Sequence, residues 1–180
     1  AVSFTGTSLS EQSFDFKMKD VTGEQEIKFV LETDNGSNDT YVNSYELYYI
    51  GDIPETPTAK PTAAPTAKPT VAPTAKPTVA PTAGPQLVSS GECSTMTHGG
   101  QYAGPSNKLG FSAMALYGNG DYCSTSYTFT GTNKKYRMVV KGASDNSSTA
   151  GVSVYIGGKK VGAVSFTGTS LSEQSFDFKM

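Results

Sequence analysis

The chain has 180 residues, a formal charge of −2, 10 Tyr, 9 Phe and 19 Gly, but a single His and two Cys. Near-neutral charge argues against nucleic acid, which calls for a basic face that displaces counterions. No apolar run approaches the roughly 18 residues that cross a bilayer, and no charged-then-apolar leader opens the chain, although a fragment would have lost one.

In chain order, the first strand signal is SFDFKM (Ser13–Met18), in which Phe14, Phe16 and Met18 alternate with Asp15 and Lys17. EIKFVLE (Glu26–Glu32) alternates Ile27, Phe29 and Leu31, and YVNSYELYYI (Tyr41–Ile50) is rich in aromatics. Pro54–Pro85 then repeats proline at nearly every fourth position, with Thr, Ala, Val and Lys between. Regular proline removes donors and fixes φ, so this stretch is predicted to be a semi-rigid polyproline-II spacer of about 3.1 Å per residue. Such Pro-Thr spacers commonly join the modules of secreted polysaccharide-degrading enzymes. Beyond it come FSAMALYG, CSTSYTFT, KYRMVVKG and AGVSVYIGG, again with period two and with Gly, Asn and Ser breaks. No segment has a convincing amphipathic helical pattern. The expectation is an all-β antiparallel sandwich of jelly-roll type.

Ala1–Met18 recurs letter for letter as Ala163–Met180. Residues 87–162 followed by 1–52 then read as one ordinary module, so this chain presents the module in circularly permuted order. The expected division is 1–52 as the C-terminal half, 53–86 as linker, and 87–180 as the N-terminal half plus the duplicate 163–180. Half a sandwich leaves a sheet face uncovered, so the halves must meet. Intramolecular closure giving a monomer is favoured, with a domain-swapped oligomer as the alternative. The two copies compete for one place in the sheet, and tandem repetition would make the whole an array.

The chemistry-bearing residues are few. His98 stands alone in a glycine turn, so no multi-His metal site exists. Carboxylate pairs for glycoside hydrolysis could come from Asp34 and Asp39 or from Glu92 and Asp121, but so small a domain offers little room for a deep cleft, and no catalytic residue is assigned. Cys93 and Cys123 are compatible with one disulfide. Asp34 and Asp39 bracket a polar loop, DNGSND, that could curl round a hard cation through oxygen ligands or form a plain Asx-rich turn. The spacing is not that of an EF-hand. Tyr102 and Tyr117 sit in glycine-rich loops, placed either to lie flat against a sugar ring or to be half-buried at strand ends. Sequons at Asn35, Asn38 and Asn146 would, if glycosylated at the first two, cover that loop.

The stretches MTHGGQY (Met96–Tyr102), ALYGNGD (Ala115–Asp121), KGASDNSS (Lys141–Ser148), VYIGGKKVG (Val154–Gly162), GEQEIKFVLETDNG (Gly23–Gly36) and NDTYVNSYEL (Asn38–Leu47) together resemble carbohydrate-binding module family 36. These are calcium-dependent xylan-binding β-sandwiches. The related family 60 has a circularly permuted order. The resemblance implies a calcium held by Asp34, Asp39 and the Asn38 carbonyl, completed by two adjacent hydroxyls of a xylose unit, with Tyr102 and Tyr117 facing the sugar. It further implies xylan or a related plant cell-wall polysaccharide as partner, a secreted protein, and a role in targeting an attached polysaccharide-degrading enzyme. Two positions depart from the family pattern: Asn38 stands where an aromatic can pack on the sugar, and Asn35 where a third carboxylate can occur. A second, structural calcium near Glu92 would lack the usual second Glu, since Ser94 stands there. A rival expectation is a structural or adhesive extracellular repeat whose calcium only stiffens a loop.

Overall fold

Alternating apolar side chains need a partner surface, and they find it in two facing antiparallel sheets. The computed structural model describes residues 22–34, 39–53, 84–145 and 149–180. The strands are β1 (Gly23–Thr33), β2 (Thr40–Asp52), β3 (Gln86–Glu92), β4 (Thr97–Gly99), β5 (Gly104–Ser106), β6 (Ala113–Leu116), β7 (Tyr122–Phe129), β8 (Lys134–Ser144), β9 (Ala150–Ile156), β10 (Lys159–Phe166) and β11 (Ser172–Lys179), with a single 3-10 turn at Cys93–Thr95. One sheet runs β10-β9-β1-β7-β4 and the other β11-β8-β2-β6-β5, with β3 pairing β2 beyond β6 along the same edge.

Period two decides what lies between the sheets. Ile27, Phe29 and Leu31 of β1 are fully buried, while Glu26 before them and Lys28 between them point outward and pair as ions. Val152, Val154 and Ile156 of β9 meet Tyr136, Met138 and Val140 of β8 in the same core, together with Leu47 and Phe129. Each such side chain contributes about 1.5–3 kcal/mol by leaving water. All four β6 residues are buried, because the outer face of that strand is covered too: Tyr41, Ala113 and Ala115 pack under Leu109 and Phe111.

The two sides of the proline stretch interleave. β1 lies between β7 and β9, and β2 between β8 and β3. Tyr49 pairs with Gln86, so the residues flanking the proline stretch leave neighbouring antiparallel strands side by side. Residues 54–83 lie outside the described part, as does the first copy of the repeat. The second copy supplies the end of β10 and all of β11. The alternating runs anticipated after the proline stretch are strands. The very short β4 and β5 and the 3-10 turn escaped a periodicity reading because three residues carry no period.

Candidate functional site

Three of the connections that cross from one sheet to the other at one end of the sandwich carry the candidate residues. They are β1 to β2, β4 to β5, and β6 to β7. Register brings them together: Val30 and Gly99 both face Tyr122, and Leu116 faces Thr40, so Tyr117 and Asp39 leave the sheet as neighbours.

The organiser of this end is Asp121. It is 1% exposed, and its carboxylate has no cationic partner among the described residues. Four backbone N–H groups donate to it instead. Oδ1 accepts from Gln101 (2.7 Å) and Tyr102 (3.2 Å), and Oδ2 from Tyr117 (3.0 Å) and Gly118 (3.1 Å). Hydrogen bonds to a charged acceptor are worth about 1.5–3 kcal/mol each, which offsets burial of the charge. The chain must pass very close to Asp121 to donate in this way. Gly100 does so at φ +108°, where a Cβ would sit 2.6 Å from the Asp121 Cα, so only glycine fits.

The tyrosine rings stand outward from the loops so fixed. Tyr102 is 60% exposed and Tyr117 38%, two of only four large hydrophobic side chains exposed among the described residues. Gln101 donates from its side-chain amide to the Tyr102 hydroxyl at 2.6 Å. The Asp34 backbone N–H donates to Asn119 Oδ1 at 2.8 Å, tying the acidic loop to the Tyr117 loop. Asp34 Oδ1 is buried and has no hydrogen-bond partner among the described residues. A buried carboxylate oxygen left bare costs free energy that a cation would recover.

Asp39 has company. Its Oδ2 accepts from the Tyr41 hydroxyl (2.9 Å) and from Lys108 Nζ (3.1 Å), and its N–H donates to Asp145 Oδ1 (2.7 Å). Lys108 also bridges to Asp145 Oδ2 at 2.9 Å. The hydrogen bonds to Asp145 and Asp39 raise the Lys108 pKa. Burial pushes the Asp145 carboxyl up, but the Asp39 N–H and Lys108 outweigh it and hold it below the usual range. Burial, together with the bond to Asp39, raises the Tyr41 hydroxyl.

Sequence reading identified Asp34, Asp39, Tyr102 and Tyr117, and all four lie at this end. Asn38, with Asn35–Ser37, is outside the described residues. Among those described, no group of three His, Cys, Asp or Glu side chains is placed to hold a metal. Donor chemistry nonetheless fits a hard cation in one respect, the bare Asp34 oxygen. The organising role of Asp121, and the Lys108 and Asp145 partnership with Asp39, were not legible beforehand. The signal for Asp121 was the turn GNGD before a strand; for Lys108, 69 residues from Asp39, there was none.

Elsewhere, Cys93 and Cys123 are both buried and unbonded, yet adjacent: a hydrogen bond between the thiols, then burial, pushes the Cys93 pKa up. His98 is an exposed β4 residue. Glu92 lines a separate open groove of about 540 Å³ with Glu26, Tyr45, Ser90, Met96 and Ser126. No helix is long and apolar enough to cross a membrane among the described residues.

The chain is 40% identical over 88 residues to an arabinoxylan arabinofuranohydrolase of Paenibacillus polymyxa. The match covers 49% of this chain and 13% of the relative, so it spans a small part of that enzyme. No family model matches the chain, and no solved structure matches it.

Proposed function

We propose that this chain is a non-catalytic, calcium-dependent carbohydrate-binding module for xylan and xylo-oligosaccharides, which targets an attached polysaccharide-degrading enzyme to its substrate. The observation that carries this reading is the Asp121 hub. A buried carboxylate spends all its bonding on fixing two loops from which Tyr102 and Tyr117 project, beside an aspartate with a bare oxygen. A rigid pair of exposed aromatic faces is a binding surface for sugar C–H groups, which pack on rings at low entropy cost. Similarity to part of an arabinoxylan-acting enzyme supports the same substrate class.

Asp34, Asp39 and the Asn38 carbonyl would hold the calcium. When bound, it supplies open coordination positions for two vicinal sugar hydroxyls. The protein's own contribution is orientation. Asn119 fixes the Asp34 backbone, Asp145 fixes that of Asp39, and the tyrosines set the plane in which a pyranose ring lies. Xylose suits a shallow site because it has no C6 hydroxymethyl group to obstruct approach. Affinity in the range of tens to hundreds of micromolar is expected, roughly −5 to −6.5 kcal/mol. Several modules on stiff spacers would add avidity without new contacts.

The module comprises residues 87–162 followed by 1–52, with 53–86 as linker and 163–180 as the duplicate of 1–18. It functions outside the cell, where the adjacent Cys93 and Cys123 thiols close as a disulfide. Retention on insoluble xylan tests the reading. Depletion from the supernatant is expected in calcium and is lost in Asp34→Ala, with no release of reducing sugar. Equal retention of Asp34→Ala rules the reading out.

A further inference from the structure

Three of the four large hydrophobic side chains exposed among the described residues stand at one end of the sandwich. Tyr102 and Tyr117 belong to the site already described. The third is Leu171, 43% exposed, in the connection from β10 to β11. The fourth, Leu87, lies far along β2, opposite Tyr48. Single exposed apolar side chains are ordinary, but a group round one rim marks a binding surface.

Register sets where Leu171 stands. Ser172 of β11 faces Gly142 of β8, Gly142 faces Val42 of β2, and Val42 faces Met114 of β6. Nearer the rim, Ser144 faces Thr40 and Thr40 faces Leu116. The ends of these four neighbouring strands therefore carry, in order, Leu171, Asp145, Asp39 and Tyr117. Adjacent strands lie about 4.8 Å apart, so the row from Leu171 to Tyr117 crosses about 14 Å, with Asp39 inside it.

The β10–β11 loop is held to this row by one residue. Gly168 turns at φ +79°, and its carbonyl accepts the Ser144 backbone N–H at 2.9 Å. The Ser144 hydroxyl donates to the Asp39 carbonyl at 3.2 Å. Ser144 is fully buried, so it fixes the loop firmly against the Asp39 backbone. Thr167, Thr169 and Ser170 are exposed beside Leu171. They bring hydroxyls and no charge next to an aliphatic face. That combination suits a neutral polyol ring, which offers C–H faces to the leucine and hydroxyls to the rest.

We propose that Thr167–Leu171 forms a further sugar subsite on the side of Asp39 away from Tyr117, so that, resting on the reading of this end as the xylan site, the module grips an internal run of the polymer. Tyr117 and Leu171 contact different sugar units of one chain. A unit held at Asp39 is continued on both sides. Affinity therefore rises with ligand length until the row is covered. A disaccharide is too short to span the row, and a hexasaccharide is long enough.

Titration of xylobiose and of xylohexaose into the full chain in calcium, followed by NMR and calorimetry, tests this. The parent is compared with Leu171→Ala combined with Leu9→Ala, because Leu9 repeats Leu171 in the sequence. We expect xylohexaose, and not xylobiose, to shift the Leu171 methyl resonances. The variant should bind xylohexaose about threefold more weakly and xylobiose as the parent does. Xylohexaose binding that leaves the Leu171 methyls unshifted, or that is unchanged in the variant, overturns the proposal and leaves the xylan reading standing. An equal loss for both ligands overturns it too, since Leu171 would then act through the shape of the loop. No binding of either ligand by the parent removes the xylan reading and the subsite with it.

Discussion

Asp121 holds Tyr102 in place without touching its ring: the buried carboxylate accepts the Tyr102 backbone N–H at 3.2 Å, while its other oxygen takes that of Tyr117 at 3.0 Å. One acid therefore sets the positions of both exposed rings. Asp121→Asn keeps the shape but leaves only one accepting oxygen, so one pair of buried N–H groups loses its acceptor. The expected cost is about 2 kcal/mol of stability, read from urea denaturation, together with a loss of xylo-oligosaccharide affinity although residue 121 makes no sugar contact. Unchanged affinity would show that the two loops hold their positions by other means.

The rings themselves make the milder prediction. Tyr102→Ala removes a stacking face from an already ordered loop and should weaken binding by about 1 kcal/mol, roughly fivefold, with no change in Tm. Tyr102→Phe should bind nearly as the parent does, since the hydroxyl is engaged by Gln101 within the protein. A Tyr102→Phe loss as large as that of Tyr102→Ala would assign the contact to the hydroxyl instead of the ring.

Lys108 already supplies positive charge where a divalent cation would act. Its ammonium lies 3.1 Å from Asp39 Oδ2 and 2.9 Å from Asp145 Oδ2. Lys108→Met removes that competitor and should tighten calcium binding, though modestly because the lysine is more than half exposed. The measurement is calcium titration followed by the shift in Tm. Weaker calcium binding in the variant would mean that Lys108 orders the acidic loop more than it opposes the ion.

Glu32 gives the fold an acid-sensitive tie across β1, β9 and β10. Its carboxylate takes hydrogen bonds from Lys160 (2.6 Å), Ser153 (2.5 Å) and Tyr155, which together lower its pKa from 4.5 to about 2. A carboxyl depressed in the folded state contributes stability that is fully present above pH 4.5 and is lost as pH falls from there through about 2. Glu32→Gln should therefore be less stable than the parent at pH 6, with the difference shrinking towards pH 2. A pH-independent difference would trace the effect to packing.

Much of the fold was legible because period two is a property of local sequence. Ile27, Phe29 and Leu31 announce the buried face of β1, and Val152, Val154 and Ile156 that of β9. Register was not legible, since it depends on partners far apart in the chain. The same distance hid part of the site. Tyr102 and Tyr117 were visible as aromatics in glycine loops, but Asp121 acts on backbone N–H groups up to 20 residues away, and Lys108 reaches Asp39 only through the fold. A charge spent on backbone or on a distant ion pair leaves no spacing to find.

The most direct measurement is calorimetric titration of xylohexaose into the full chain, once in calcium and once in excess EDTA. A saturable heat in calcium that vanishes in EDTA, and returns when calcium is restored, is the predicted result. The same binding heat in both buffers would contradict the claim that a protein-held cation grips the sugar.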